Sequence, residues 1–159
     1  MRCQLGYNEG EMQSEVADMK TRVLFVCVHN SARSQMSEAF LNALGGGEFE
    51  AESAGFEPTV INPVVVQVMS EAGYDLSKNT TQSVFELYKQ GALFGVVVTV
   101  CDSAREKQCP IFPGVHTRLH WDLKNPEDYT GTEEEILDQV RELRDRIEGL
   151  VKGFIAENA

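Results

Sequence analysis

The sequence predicts an α/β fold, a small three-layer sandwich in which a four-stranded parallel sheet is flanked by helices. Two patterns carry that prediction. "RVLFVCV" at 22–28 and "LFGVVVTV" at 93–100 are apolar runs rich in β-branched residues, as strands covered on both faces must be. Segments of helical period alternate with the strand signals, and such alternation implies parallel pairing through right-handed crossovers, with helices on both faces of the sheet.

The first strand gives way at Ser31 to a helix whose apolar face is Ala32, Met36, Ala39, Phe40, Ala43 and Leu44, and which stops at Gly45, Gly46 and Gly47. "FEAESAG" (49–55) alternates weakly as a second strand. "NPVVVQVMSEAG" (62–73) predicts a helix capped by Asn62, with Pro63 in its first turn and Gly73 at its end. "TQSVFELYKQG" (81–91) predicts a short helix before the third strand, which ends at Cys101. A polar loop, "CDSAREKQCPIFPG", leads to a fourth strand near "HTRLHW" (116–121). The last helix opens on Thr132 and Glu135 as a capping box and carries Ile136, Val140, Leu143, Ile147, Leu150 and Phe154 at helical spacing. Residues 1–20 are polar and aperiodic and predict a flexible N-terminal extension, which takes Cys3 with it; residues 21–159 predict a single domain.

With 42% hydrophobic and 25% charged residues the chain is expected to build a packed core. Its formal net charge of −11 repels phosphate backbones and anionic headgroups, which argues against nucleic acid or a membrane surface as partner. No run approaches the ~20 apolar residues that span a bilayer, and "MRCQLGYNEGEMQSEVADMK" lacks the apolar centre of a secretory signal, so a cytoplasmic protein is expected. A monomer without a cofactor is the expected form.

Cys3, Cys27, Cys101 and Cys109 are too irregularly spaced for a disulfide scaffold; in a reducing compartment such cysteines are catalytic, redox-active or simply buried. Ligands of parallel sheets bind at the carboxyl ends of strands, and Cys27 and Cys101 end the first and third strands, so thiols distant in sequence meet at one edge. In "CVHNSARS" the backbone from Val28 through His29, Asn30, Ser31 and Ala32 to Arg33 and Ser34 joins a strand to a helix N-terminus and can aim its N–H groups at a tetrahedral oxyanion. The same field stabilises a thiolate at Cys27. Arg33 can fork onto two oxyanion oxygens, Ser34 can donate to the sulfur, and Asn30 can shape the loop. His29 can bias the loop toward anions when protonated. Taken singly, Cys27 reads as a small buried hydrophobe and Arg33 as a solvated helix residue; six residues apart across a strand-loop-helix junction, with a serine following, they read as an oxyanion site.

"CVHNSARS" matches Cys-x5-Arg-Ser, and from about Arg22 to the final helix the chain resembles the low-molecular-weight protein tyrosine phosphatase superfamily. Within it, "NSARSQMSEA" and "TVCDSAREKQCP" look most like the thioredoxin-coupled arsenate reductases. The resemblance implies a low-molecular-weight phosphatase-like fold and arsenate as substrate, with phosphate or sulfate as anion mimics. Cys27 would form an arseno-thiol adduct, Cys101 would release arsenite as a Cys27–Cys101 disulfide, and Cys109 would take over Cys101 in a disulfide that thioredoxin reduces. It also implies residual phosphatase activity.

The chain departs from that pattern in three places. The general acid is usually an Asp before a Pro, but "HWDLKNPEDY" has Asn125 before Pro126, and an amide cannot supply the proton. Asp122 is the best substitute and Asp128 the second. Some relatives hold potassium through an Asn, a Glu, a Ser and an Asp; Asn30, Glu38 and Ser53 match three of these, while Gln82 stands at the Asp position and leaves the set one charge short. Ala32 replaces a cysteine found in many relatives' loops. His116 and His120 show no zinc-ligand spacing. A phosphatase acting on phosphotyrosine or a small phosphate ester, and a non-catalytic oxyanion-binding protein, are the rival readings.

Overall fold

The computed structural model of the protein describes residues 20–101 and 107–158. Cys3 and the N-terminal extension apart from Lys20 lie outside the described residues. Strands β1 (Thr21–Cys27), β2 (Phe49–Gly55), β3 (Val96–Thr99) and β4 (Thr117–His120) form one sheet in the order β2-β1-β3-β4, every pair parallel. β1 is central and buries every side chain from Val23 to Cys27, which is why its sequence shows no alternation.

Helices α1 (Arg33–Leu44), α2 (Pro63–Glu71), α3 (Val84–Lys89) and α4 (Glu133–Asn158) flank the sheet, with α1 against β1, β2 and α4, and α2 against α4. Their ends follow local chemistry. The Asn62 side chain accepts from Val64 N at 2.9 Å with Pro63 behind it, Ser83 accepts from Phe85 and Glu86 N, and Glu135 N donates to Thr132 Oγ1 at 3.2 Å. After α1 the chain turns through Gly46 and Gly47, whose φ of +63° and +84° suit residues without a Cβ.

Two helix faces differ from the sequence expectation. On α1, Ala43 and Leu44 are exposed and Leu41 is buried in their place, while Arg33, Ser34, Gln35 and Ser37 go inside. On α4 the buried stripe is Leu137, Val140, Leu143, Ile147, Val151 and Phe154, with Ile136 and Leu150 at its margins. Arg141 grips both carboxylate oxygens of Glu71 at 2.9 and 2.8 Å, and Arg144 donates to Val68 O at 3.0 Å, which ties the rotation of α4 to the end of α2. Among the described residues no helix is long and apolar enough to cross a membrane.

Register places the site. Cys27 lies level with Gly55, Val26 with Thr99, and Thr99 with His120. The strands' carboxyl edge therefore carries Cys27 and Gly55, then Cys101 two residues past β3 and Asp122 two past β4.

Candidate active site

The loop between β1 and α1 has its carbonyls turned outward by hydrogen bonds. Phe56 N donates to Cys27 O at 3.2 Å, Glu57 N to Val28 O at 2.7 Å, Thr59 N to His29 O at 3.1 Å and Asn62 N to Ser31 O at 3.0 Å. With those carbonyls engaged by the segment that follows β2, the loop's N–H groups are left to the inner side. The approach is close enough to require glycine: a Cβ on Gly55 would stand 2.7 Å from both Asn30 N and Val28 O.

Asn30 takes φ +54°, a left-handed conformation that Asn tolerates better than most residues, and its N–H points to Cys27 Sγ at 3.2 Å. Its buried side chain sets the polarity of the next contact. Asn30 Nδ2 donates to Ser34 Oγ at 2.8 Å, so the hydroxyl accepts there and directs its own hydrogen to Cys27 Sγ, 2.9 Å away. Two donors thus converge on the sulfur. Asn30 Oδ1 is held by Gln35 Nε2 at 3.3 Å and by Gln82 N at 3.0 Å.

Helix α1 begins without a side-chain cap at Ala32, which leaves first-turn N–H groups for a ligand. Arg33 is 2% exposed, the largest fully buried side chain of the described residues. Nη1 donates to Leu123 O at 2.9 Å, while Nε is buried with no partner. Leaving such a donor unsatisfied costs about 1–3 kcal/mol, and more where charge is involved, so the group is poised for an acceptor from outside the chain. A tetrahedral oxyanion supplies one.

Cys27, Cys101 and Cys109 are buried thiols. Val100 N donates to Val26 O at 2.8 Å, continuing the β1–β3 ladder, so Cys101 stands one residue beyond the level of Cys27 on the neighbouring strand. Cys109 is 6% exposed, contrary to the expectation of a polar loop. The cause is Phe112, buried edge-on against both Tyr88 and Phe94, which draws the end of the loop onto the sheet. Burial pushes the Cys109 thiol up to about 11 against the opposing charge of Arg118.

The acids are differently disposed. Asp122 and Asp128 are exposed on either side of buried Leu123 and Pro126. Asn125 Oδ1 accepts from Glu127 N at 3.1 Å, a capping role for the 3-10 turn Pro126–Asp128 that needs no proton to give. Glu127 meets the anion loop, with Oε2 3.7 Å from His29 Nε2.

The set matched to potassium is engaged within the chain. Asn30 Oδ1 already takes two N–H donors, Gln82 Nε2 donates to Ser53 O at 2.9 Å, and burial raises the Glu38 carboxyl to about 7, toward its neutral form. His120 Nδ1 pairs with Thr99 Oγ1 and His116 Nδ1 with Thr117 Oγ1, and no group of three metal-ligating side chains occurs among the described residues. Sequence reasoning missed Gly55, Gln35, Glu127 and the Leu123 carbonyl. Only the glycine closing "ESAG" left a signal, a strand ending where backbones must approach.

Residues 22–158 match the family of low molecular weight phosphotyrosine protein phosphatases. An arsenate reductase of Halalkalibacterium halodurans is 36% identical over 135 residues, covering 85% of this chain and 95% of that protein. Among solved structures, an arsenate reductase in the phosphate binding state superposes with a TM-score of 0.71 at 28% identity, over 89% of this chain and all of the other. A Corynebacterium glutamicum thioredoxin-dependent arsenate reductase gives 0.64 at 30% identity, over 92% of this chain and 67% of that one. The chain, with its Cys27–Arg33 loop at the head of the parallel sheet, belongs to the low molecular weight phosphotyrosine protein phosphatase family.

Proposed function

We propose that this protein is a cytoplasmic arsenate reductase working through three thiols. The Cys27 thiolate attacks arsenic in an oxyanion held by the loop amides and Arg33, and water leaves as the S–As bond forms. Cys101 then attacks the Cys27 sulfur. The S–As bond breaks with its electron pair moving to arsenic, which departs as arsenite and leaves a Cys27–Cys101 disulfide. Cys109 displaces Cys27 from Cys101, and an external dithiol of the thioredoxin class reduces the Cys101–Cys109 disulfide with two electrons.

The observation that carries this reading is the placement of Cys101 at the end of the strand paired with β1, one residue out of level with Cys27. Neighbouring strands lie about 4.8 Å apart, so the two cysteine backbones are neighbours at the carboxyl edge of the sheet. A hydrolytic phosphatase has no use for a second thiol there, and position 125 offers it no acid. Cys109 must leave its buried, protonated state before it can act, so the segment around it rearranges during turnover.

The test is arsenite release with thioredoxin, thioredoxin reductase and NADPH, for the native enzyme and for Cys27→Ser, Cys101→Ser and Cys109→Ser. Native enzyme turns over repeatedly, Cys27→Ser and Cys101→Ser release no arsenite, and Cys109→Ser releases it once. Repeated turnover by Cys101→Ser or Cys109→Ser would refute the relay. Aryl phosphate hydrolysis without any arsenite would establish the phosphatase instead.

A further inference from the structure

The segment 122–129 lies across the site from the β2–α2 loop, and side chains of the anion loop hold it at two points. Arg33 Nη1 binds the Leu123 carbonyl at 2.9 Å, and His29 Nε2 stands 3.7 Å from Glu127 Oε2. His29 also reaches the opposite wall, with Nδ1 2.9 Å from Glu57 O. A carbonyl only accepts, so Nδ1 carries the hydrogen of that bond. Nε2 is then the ring nitrogen that faces the Glu127 carboxylate.

We propose that His29 is a positioning residue that clasps the Pro126–Asp128 turn to the anion loop through Glu127, and so closes segment 122–129 around the bound oxyanion. The proposal rests on reading the loop as an oxyanion site. The two attachments are four residues apart on the segment and four apart on the loop. An oxyanion that engages Arg33 and a segment that rests on Arg33 and His29 are therefore mechanically coupled: the clasp steadies the Leu123 carbonyl that orients the guanidinium. Residue 29 contributes through its side chain what Gly or Ala could not, since those lack a group to span from Glu57 to Glu127. The His29 and Glu127 side chains are 24% and 46% exposed, so the contact is screened and its effect modest.

The test uses the full chain with Cys27→Ser, so that binding is read without chemistry, and measures the Kd of inorganic phosphate and of arsenate by calorimetry. Fluorescence of Trp121, the chain's single tryptophan, reports on the segment beside it. Added singly, His29→Ala and Glu127→Gln each weaken binding about two- to fivefold, the range expected of a half-exposed ion pair, and the double variant is no worse than the weaker single. Glu127→Gln changes one exposed atom pair and keeps the fold. With Cys27 restored, each raises KM for arsenate more than it lowers kcat. Effects that multiply in the double variant, or an unchanged Kd in Glu127→Gln, overturn the clasp while leaving the oxyanion site standing. Failure of the Cys27→Ser parent to bind either anion overturns both.

Discussion

Replacing Glu38 by Gln should stabilise the protein increasingly as pH rises above 5. Glu38 lies on α1 beside a polar cleft of about 380 Å³ that it lines with Gln35, Ser53, Asn79 and Gln82. Burial is the main force on its carboxyl and the Glu52 charge adds to it; hydrogen bonds from Ser53 oppose both, and the result is a rise from the exposed value of 4.5 to about 7. At ~1.4 kcal/mol per pH unit, the ionised form is about 3 kcal/mol less favourable in the fold than in the unfolded chain. Between 4.5 and about 7 the folded protein holds a proton that the unfolded chain has lost, so stability falls as pH rises through that window and levels off above it. Gln at this position cannot ionise and escapes the loss.

The measurement is urea unfolding of both proteins at pH 5 and pH 8. Groups shared by the two cancel in the difference, and the advantage of the variant should grow by ~1 to 2.5 kcal/mol between the two pH values, the lower part of the range allowing for partial solvent cover. A gap that stays constant to within about 0.5 kcal/mol refutes the argument. Exchanging choline chloride for KCl at equal ionic strength separates the roles of proton and cation. A potassium ion at Glu38 would favour the carboxylate and flatten the difference; with the neighbouring oxygens already engaged by Gln35 and Gln82, the difference should persist in both salts.

Ser34→Ala removes the hydroxyl donor to Cys27 Sγ. Hydrogen bonds to charged groups are worth about 1.5–3 kcal/mol, so alkylation of Cys27 by iodoacetamide at pH 6 should slow roughly tenfold or more; an unchanged rate would show that the hydroxyl does not serve the thiolate. Gly55→Ala places a Cβ 2.7 Å from two backbone atoms of the anion loop, and the displaced loop should weaken phosphate binding by more than about tenfold in calorimetry. Native affinity in that variant would mean that the loop's outer contacts do not set its inner geometry. Asp122→Asn tests the substitute acid: arsenite release should fall about ten- to hundredfold with a changed pH–rate profile, and an unaltered profile removes Asp122 from the role.

What the sequence displayed was local, and what it concealed depended on which strands become neighbours. Cys27, Asn30, Arg33 and Ser34 sit within one strand-loop-helix unit, and the caps at Asn62 and Thr132 each act within three residues, so residue types and spacing suffice to read them. Gly55 gains its meaning only because β2 lies against β1, and Gln82 only because it follows the crossover that returns the chain beside Asn30. The same cause explains the inverted first turn of α1. Periodicity places Ala43 and Leu44 inside and polar residues outside, yet Ser34 and Gln35 are buried, because Asn30, the Thr80 carbonyl and the Cys27 sulfur supply partners that make their burial affordable.

That inversion also distinguishes a functional helix start from a structural one. An ordinary first turn satisfies its N–H groups with a cap and exposes its polar side chains. Here the cap is missing, Arg33 is buried with one nitrogen unpartnered, and Ser34 and Gln35 serve the sulfur or the loop that carries it. The deficit is specific: a helix start without a side-chain cap and a buried guanidinium nitrogen without an acceptor, at the carboxyl edge of the sheet. A small oxyanion is a ligand whose chemistry meets both needs at once, and in the proposed relay the second thiol at the end of β3 would turn hydrolysis into reduction.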